Sequence, residues 1–171
     1  MILARHWLKS PPDAGLIQSH SNISDYGKSE LYKLEINNQL SEVRRMSLWL
    51  NEAIREMGLS DELQFNFDLC ANEAVTNIIS YAYPEIGMHK ISLQMNSAGG
   101  LVWLEIEDDG IPFNPLKKPQ HKQPASLEEA RIGGLGVDLI RNFMEECTYT
   151  RRNGKNVLKM IAHISRQQLV N

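Results

Sequence analysis

The chain has 171 residues, of which 42% are hydrophobic, 7% aromatic and 23% charged, a composition typical of a globular protein. Its 18 Lys and Arg residues against 21 Asp and Glu residues give a formal net charge of −3, which excludes a broad electropositive surface for nucleic acid. The length predicts one domain. A chain of this size buries roughly 70% of its unfolded surface, so its core requires neither disulfides nor a structural metal.

The two cysteines and the N-terminal segment contain no localisation or metal signal. Cys70 and Cys147 lie in apolar sequence without neighbouring histidines, which favours two reduced core thiols over a zinc site. Residues 1–9 are too short and too interrupted by charge for a signal peptide, and no run approaches the ~20 apolar residues of a membrane span. We expect a soluble, cytoplasmic protein.

The first 30 residues are rich in Pro, Gly, Ser and Asn and have little periodicity. We therefore predict an irregular arm over residues 1–30 and a single domain over residues 31–171. Gly27-Lys28-Ser29 resembles the end of a phosphate loop, but Asn22 stands where that loop requires glycine and no strong strand precedes it. This segment is not predicted to bind phosphate.

A strand and two helices are predicted next. Alternating apolar residues indicate the strand over Leu31–Ile36, and apolar residues at three- and four-residue steps indicate a helix over Gln39–Met57. The second helix starts at the cap residue Ser60, has two acidic residues in its first turn, and ends near Pro84.

For the second half of the chain we predict four strands, a short helix and a longer helix. In order, we expect strands over Ile91–Met95 and Leu101–Ile106, a polar loop over 114–124, a short helix over 127–131, a helix opened by residues 133–136, and a hairpin over Thr148–Ile161 turning at Asn153-Gly154. Helices segregate from a mixed, mainly antiparallel sheet. The predicted fold is α+β, a two-layer α/β sandwich with helices on one face, rather than a doubly wound parallel sheet.

Two polar residues interrupt the apolar second helix. Glu73 and Asn77 are four residues apart, so they project from one face about one turn apart. Burying either side chain without a partner costs about 1 to 3 kcal/mol, so a buried pair implies a polar ligand. Taken alone, the pair is better explained by a solvent-facing position.

Two glycine-containing motifs follow sheet and loop segments. Asp108 and Gly110 end an apolar strand, where a carboxylate is held rigidly and glycine lets a ligand approach the backbone; a tight turn is the alternative. Gly133, Gly134 and Gly136 open the third helix, whose free amide groups suit a phosphate; a plain hinge is the alternative.

Taken in order, and with Gly154–Leu158 of the last hairpin, these motifs resemble the GHKL superfamily of ATP-binding domains. The similarity is closest to the bacterial anti-sigma-factor serine kinases and covers about residues 31–165. It implies a Bergerat-type ATP-binding fold with ATP and Mg²⁺ as cofactors.

The resemblance also implies a role for each motif residue. Glu73 matches the general base, Asn77 the magnesium ligand, and Asp108 the carboxylate that recognises adenine. Gly110 falls beside the base, and the loop residues that fall on the phosphates are Gly133, Gly134, Leu135 and Gly136.

The segment between residues 113 and 133 departs from the family pattern. It contains Lys and Pro and lacks the Thr-rich stretch of some members. Arg131 is a candidate for contact with the γ-phosphate, with an exposed Arg at a helix end as the alternative.

The function implied is an ATP-dependent serine/threonine kinase that acts as an anti-sigma factor in a partner-switching circuit. Its partners would be a small antagonist protein carrying a phosphoacceptor serine and a sigma factor as output, with a homodimer as the assembly and no direct contact with nucleic acid or membrane. Glu73 can take a proton from water or from a protein hydroxyl, so the motif alone allows ATPase or kinase chemistry.

Chain length helps to choose among the classes of ATP-binding protein in this superfamily. A chain of 171 residues has no room for the extra domains of clamp ATPases or for a histidine kinase's dimerisation helices, which leaves a kinase or switch acting on a separate protein. The alternatives are a non-catalytic ATP-binding partner-switch module and a structural protein that binds no nucleotide. The last predicts no thermal shift with MgATP.

Overall fold

A computed structural model of the protein describes residues 30–117 and 135–164. In chain order the elements are β1 (Glu30–Asn37), α1 (Ser41–Glu56), α2 (Asp61–Tyr81), β2 (Lys90–Ala98), β3 (Leu101–Asp108), a short 3-10 turn (Pro115–Lys117), α3 (Leu135–Phe143), β4 (Glu146–Arg152) and β5 (Lys155–His163). The predicted order of strands and helices is confirmed.

The five strands form one sheet in the order β1-β2-β3-β5-β4. Each neighbouring pair is antiparallel, so the predicted mixed sheet contains no parallel pair within the described strands. This order places the late strand β5 beside β3, so residues that are far apart in the chain become neighbours. Asp108 faces Asn156 across that pair, and Arg151 faces Asn156 from β4.

The second helix begins and ends for local reasons. The hydroxyl of Ser60 accepts a hydrogen bond from the amide of Leu63 at 3.3 Å, which confirms the predicted N-cap. The helix ends at Tyr81, before the predicted end near Pro84, because the residue preceding a proline disfavours the helical conformation. The Ala82 carbonyl instead accepts a hydrogen bond from the Ile111 amide at 2.9 Å.

The last hairpin turns where the sequence predicts. Asn153 and Gly154 both have positive φ angles, 52° and 79°, as the tight turn between two antiparallel strands requires.

The core lies between one face of the sheet and the helices. Alternate residues of β2, β3 and β5 point into this layer and are buried; they are Ile91, Leu93, Met95, Val102, Leu104, Ile106, Leu158, Met160 and Ala162. Helices α1 and α2 cover them with Met46, Leu50, Ile54, Leu63, Phe67 and Val75. The two-layer α+β prediction is therefore confirmed.

Both cysteines are free thiols; Cys70 is fully buried and Cys147 half-buried. Burial raises their pKa values to about 12 and about 11, so neither thiol is activated. No helix in the two described ranges is long and apolar enough to cross a membrane.

Several predicted features lie outside the described residues. They are the arm up to residue 29 with its Gly27-Lys28-Ser29 segment, the loop beyond Lys117, the short helix over 127–131 with Arg131, and the loop glycines Gly133 and Gly134.

Candidate functional site

A cavity of ≈ 180 Å³ lies between α2, α3 and the inward face of β3, β5 and β4. Its walls are mainly apolar, with polar side chains entering at a few points. The apolar lining includes Ala74, Ile78, Ala82, Ile111, Phe113, Ile140 and Leu158, and the polar lining includes Asn77, Asp108, Tyr149 and Asn156. Apolar walls with a few convergent polar groups are typical of a small-molecule site.

Asp108 is the buried carboxylate of this cavity. It is the last residue of β3 and is only 4% exposed. Its Oδ1 accepts hydrogen bonds from the Gly110 amide at 2.8 Å and from Nδ2 of Asn156 at 2.9 Å. Within the described part of the chain no donor reaches Oδ2, so this second oxygen is available to a ligand in the cavity.

The electrostatics of Asp108 balance burial against hydrogen bonds. Burial raises the pKa of the carboxyl group above its ordinary value, while the hydrogen bonds from Asn156 and Gly110 oppose the shift. The nearby charge of Asp109 raises the pKa further and Arg151 lowers it. The net shift is upward.

Asn156 supports Asp108 from the neighbouring strand. Its side chain is 5% exposed and uses its full hydrogen-bonding capacity. Nδ2 donates to Asp108 and to the Ile111 carbonyl, while Oδ1 accepts from the Tyr149 hydroxyl and from Nη1 of Arg151, both at 2.7 Å. The amide is therefore held in one orientation.

Gly110 packs against the end of α2. A Cβ atom at this position would lie 2.5 Å from Cβ of Ala82 and 2.7 Å from its carbonyl oxygen. No side chain fits in that space, so glycine lets the loop after β3 reach the helix end and form the Ile111–Ala82 hydrogen bond.

On α2, Asn77 lines the cavity, whereas Glu73 lies one turn earlier and outside the lining. Both side chains are half-buried. In the described residues neither side chain forms a hydrogen bond or an ion pair, so the polar atoms of both are available to a bound molecule or a partner.

The third helix forms one wall of the cavity. Ile140 of α3 lines the cavity, and Arg141 donates a hydrogen bond to the Leu116 carbonyl, which fastens the 3-10 turn against the same helix. Leu135 and Gly136 form the first turn of α3, as predicted.

The arrangement fits an adenine nucleotide. An apolar slot can hold a flat ring, and the free Oδ2 of Asp108 can accept a hydrogen bond from an exocyclic amine. Among the described residues no group of three His, Cys, Asp or Glu side chains is arranged to hold a metal ion. Mg²⁺ usually binds through phosphates and one or two protein oxygens, so Asn77 would hold it together with a nucleotide.

Sequence reasoning assigned no role to Asn156, Tyr149 or Arg151. The sequence did contain a signal for Asn156, because alternation along β5 puts this residue on the same face as the buried Leu158 and Met160. A polar residue on the inward face of a strand marks a site. That Asn156 hydrogen bonds to Asp108, however, follows from the strand order and not from any local motif.

Comparisons with known proteins agree with this fold. The sequence model of the family described as a histidine kinase-like ATPase domain matches residues 36–162 of the chain. A solved structure, the RsbU and RsbW domains of a protein from Mycobacterium tuberculosis, superposes with a TM-score of 0.57 at 14% identity. The match covers 83% of this chain and 33% of that one, and it supports the fold alone.

Three curated relatives are similar in sequence. The chain is 34% identical over 115 residues to the serine/threonine-protein kinase BtrW of Bordetella bronchiseptica, covering 67% of this chain and 81% of the relative. It is 32% identical over 110 residues to the serine-protein kinase RsbW of Staphylococcus epidermidis, covering 60% and 67%. It is 30% identical over 77 residues to the anti-sigma F factor of Bacillus velezensis, covering 45% and 53%.

Proposed function

The chain belongs to the histidine kinase-like ATPase family, and from that premise we propose that it is an ATP-dependent serine/threonine kinase acting as an anti-sigma factor. Its substrate is a small antagonist protein with a phosphoacceptor serine, in a partner-switching circuit. Relatives named as serine kinases and as an anti-sigma factor support this proposal. Residues 31–171 form the kinase domain in the proposal, with residues 1–30 as an N-terminal arm.

The observation that carries the proposal is the buried carboxylate of Asp108. Its Oδ1 is saturated by two donors, which leaves Oδ2 to accept a hydrogen bond from the amino group of adenine. Guanine has an oxygen acceptor at the equivalent position, so an ionised Asp108 repels it. A charge-assisted hydrogen bond of this kind contributes roughly 1.5 to 3 kcal/mol, enough to select adenine.

The helix side of the site supplies the chemistry in this proposal. Asn77 binds the cation through its amide oxygen while the nucleotide phosphates supply other ligands. Glu73 accepts the proton of the antagonist's serine hydroxyl as general base. ATP, when bound, supplies the phosphoryl group. The phosphates are held by the backbone amides of Gly133, Gly134, Leu135 and Gly136.

Two measurements test the proposal. Calorimetry should detect ADP binding and little or no GDP binding. Incubation with ATP, Mg²⁺ and the cognate antagonist should then produce phosphoserine on the antagonist. Absence of heat with ADP would contradict nucleotide binding itself, whereas binding without phosphoserine would contradict only the kinase assignment.

The second outcome has structural support of its own. Glu73 lies outside the cavity lining, as a non-catalytic ATP-dependent switch allows. Such a module would bind ATP, leave it intact and change partners. Intact ATP recovered from the protein in the presence of the antagonist favours this second candidate.

The proposal extends to partners and place of action. The output protein is a sigma factor, the assembly is a homodimer, and the protein acts in the cytoplasm. Co-purification with and without ADP tests the first point: a sigma factor should be among the retained proteins, and the retained partner should change with the nucleotide. Light scattering of the purified protein tests the second.

A further inference from the structure

Arg151 connects the edge of the sheet to the floor of the cavity. It lies on β4, and its Nη1 donates to Oδ1 of Asn156 at 2.7 Å and to the Gly110 carbonyl at 3.1 Å. One guanidinium group therefore touches both partners that hydrogen bond to Oδ1 of Asp108, although it does not line the cavity itself.

The two groups that donate to Oδ1 of Asn156 differ in what they require of its orientation. The Tyr149 hydroxyl can donate or accept a hydrogen bond, so it accommodates either orientation of the Asn156 amide. A guanidinium group only donates. Arg151 therefore holds the oxygen of Asn156 toward β4, and it acts together with the Ile111 carbonyl, which can only accept and so keeps Nδ2 on the Asp108 side.

We infer that Arg151 is a positioning residue for nucleotide recognition, which acts through Asn156 and the Gly110 carbonyl to present Oδ2 of Asp108 to the base as an acceptor. The inference rests on the proposed adenine recognition by Asp108. It adds an exposed residue that lies outside the cavity lining, on the edge strand of the sheet.

Charge acts in the same direction as geometry. The titratable and charged groups that act on Asp108 or respond to it are Asp109 from its own loop, Arg151 from β4 and the phenol of Tyr83 from the segment after α2. Of these, Arg151 is the one that lowers the pKa of Asp108, whereas Asp109 raises it. Removing the guanidinium group therefore raises the pKa of Asp108.

The sign of the pH effect follows. Adenine binding needs the ionised carboxylate, so affinity is full above the pKa of Asp108 and falls as the pH drops through it. Loss of Arg151 should move this fall in affinity, the acid limb of the pH profile, to higher pH. The ADP phosphates titrate equally with every variant, so the difference between two profiles isolates the protein.

The test compares Arg151→Met with Arg151→Lys and with the control Arg152→Met. Arg152 lies on the opposite face of β4, 3.8 Å from Glu105, and its loss removes the same charge from the same strand. ADP affinity is measured by calorimetry from pH 5 to pH 8, and the Asp108 carboxyl is titrated by carbon NMR in the ligand-free protein.

Arg151→Met should weaken ADP binding about tenfold at neutral pH and move both the acid limb and the NMR midpoint upward. Arg151→Lys should restore the midpoint, since it keeps the charge, while recovering only part of the affinity because it lacks the planar fork. Arg152→Met should match the wild type.

An unchanged midpoint in a folded Arg151→Met protein, or equal effects of Arg151→Met and Arg152→Met, would overturn the inference. If Arg151→Met does not fold, Arg151→Lys decides: wild-type affinity together with a wild-type midpoint would also overturn it. Absence of ADP binding by the wild type would instead count against the proposed function, and the NMR midpoints would still report whether Arg151 controls Asp108.

Discussion

The two ends of the candidate site differ in how far they are organised without a ligand. At the sheet end, Asp108 and Asn156 are both nearly fully buried and are held by hydrogen bonds to a neighbouring strand and loop. At the helix end, Glu73 and Asn77 are half-buried and form no hydrogen bond within the described residues. In the proposed function the sheet end is therefore preorganised for recognition, whereas the helix end needs a nucleotide or a partner to supply the missing groups.

The largest effect is expected at the helix end. Glu73→Gln should reduce phosphotransfer to the antagonist about 100-fold or more, because an amide cannot accept the serine proton. ADP affinity should stay within about twofold, since Glu73 lies outside the cavity lining. Phosphoserine formation in single-turnover assays measures the first quantity and calorimetry the second.

Glu62→Gln is the matched control for this prediction, because Glu62 is an exposed acid in the first turn of the same helix. It should leave transfer unchanged. Transfer by Glu73→Gln at a rate close to that of the wild type would contradict the assigned base.

The next effect is expected at the sheet end. Asp108→Asn should weaken ADP binding by roughly 10- to 100-fold, since the amide keeps the two bonds to Oδ1 but turns a donor toward the adenine amine. The same donor suits a 6-oxopurine, so the ratio of IDP to ADP affinity should rise. Competition binding with both nucleotides measures the ratio, and Asp109→Asn at the exposed neighbouring position should leave it unchanged.

The same variant has a pH signature in stability. Burial raises the pKa of Asp108 in the folded protein, so its contribution to stability is present below the unfolded pKa and is lost as the pH rises through the folded pKa. Asp108→Asn should therefore gain stability relative to the wild type at neutral pH and lose that gain in acid. Urea titrations at pH 4 and pH 7 should show the difference; an equal offset at both values would contradict it.

A smaller effect is expected for the cation ligand. Asn77→Ala should lower ATP affinity about tenfold when Mg²⁺ is present and have little effect when it is chelated, because the amide oxygen acts only with the phosphates. Asn66→Ala, on the same helix and away from the cavity lining, is the control. Equal losses with and without Mg²⁺ would show that Asn77 contacts the nucleotide itself and not the cation.

The smallest effect is expected one residue away from Asp108. Glu107 points to the open face of the sheet and pairs with Lys155 at 2.7 Å, where solvent screens the pair. Glu107→Gln should leave ADP affinity and the melting temperature essentially unchanged. A large loss of affinity would mean that the two faces of the sheet are coupled.

Part of this site could be predicted from sequence because its signals are local. Helical spacing predicted that Glu73 and Asn77 share one face of α2, and the end of an apolar strand marked Asp108 and Gly110. Their assignment to a nucleotide site came from the resemblance of the ordered motifs to a known family. The network of Asn156 and Arg151 could not be assigned in the same way, because it depends on β5 lying between β3 and β4. The hydrogen bond from the Ile111 amide to the Ala82 carbonyl likewise joins groups far apart in the chain, so no local pattern predicts it.

The contact between Gly110 and Ala82 limits how this protein can diverge. A side chain at 110 would collide with both the methyl group and the carbonyl oxygen at 82, and a larger residue at 82 would meet the loop from the other side. A library randomised at both positions should therefore return glycine at 110 with a small residue at 82, or no nucleotide binder at all. The neighbouring exposed position 109 should tolerate wide replacement.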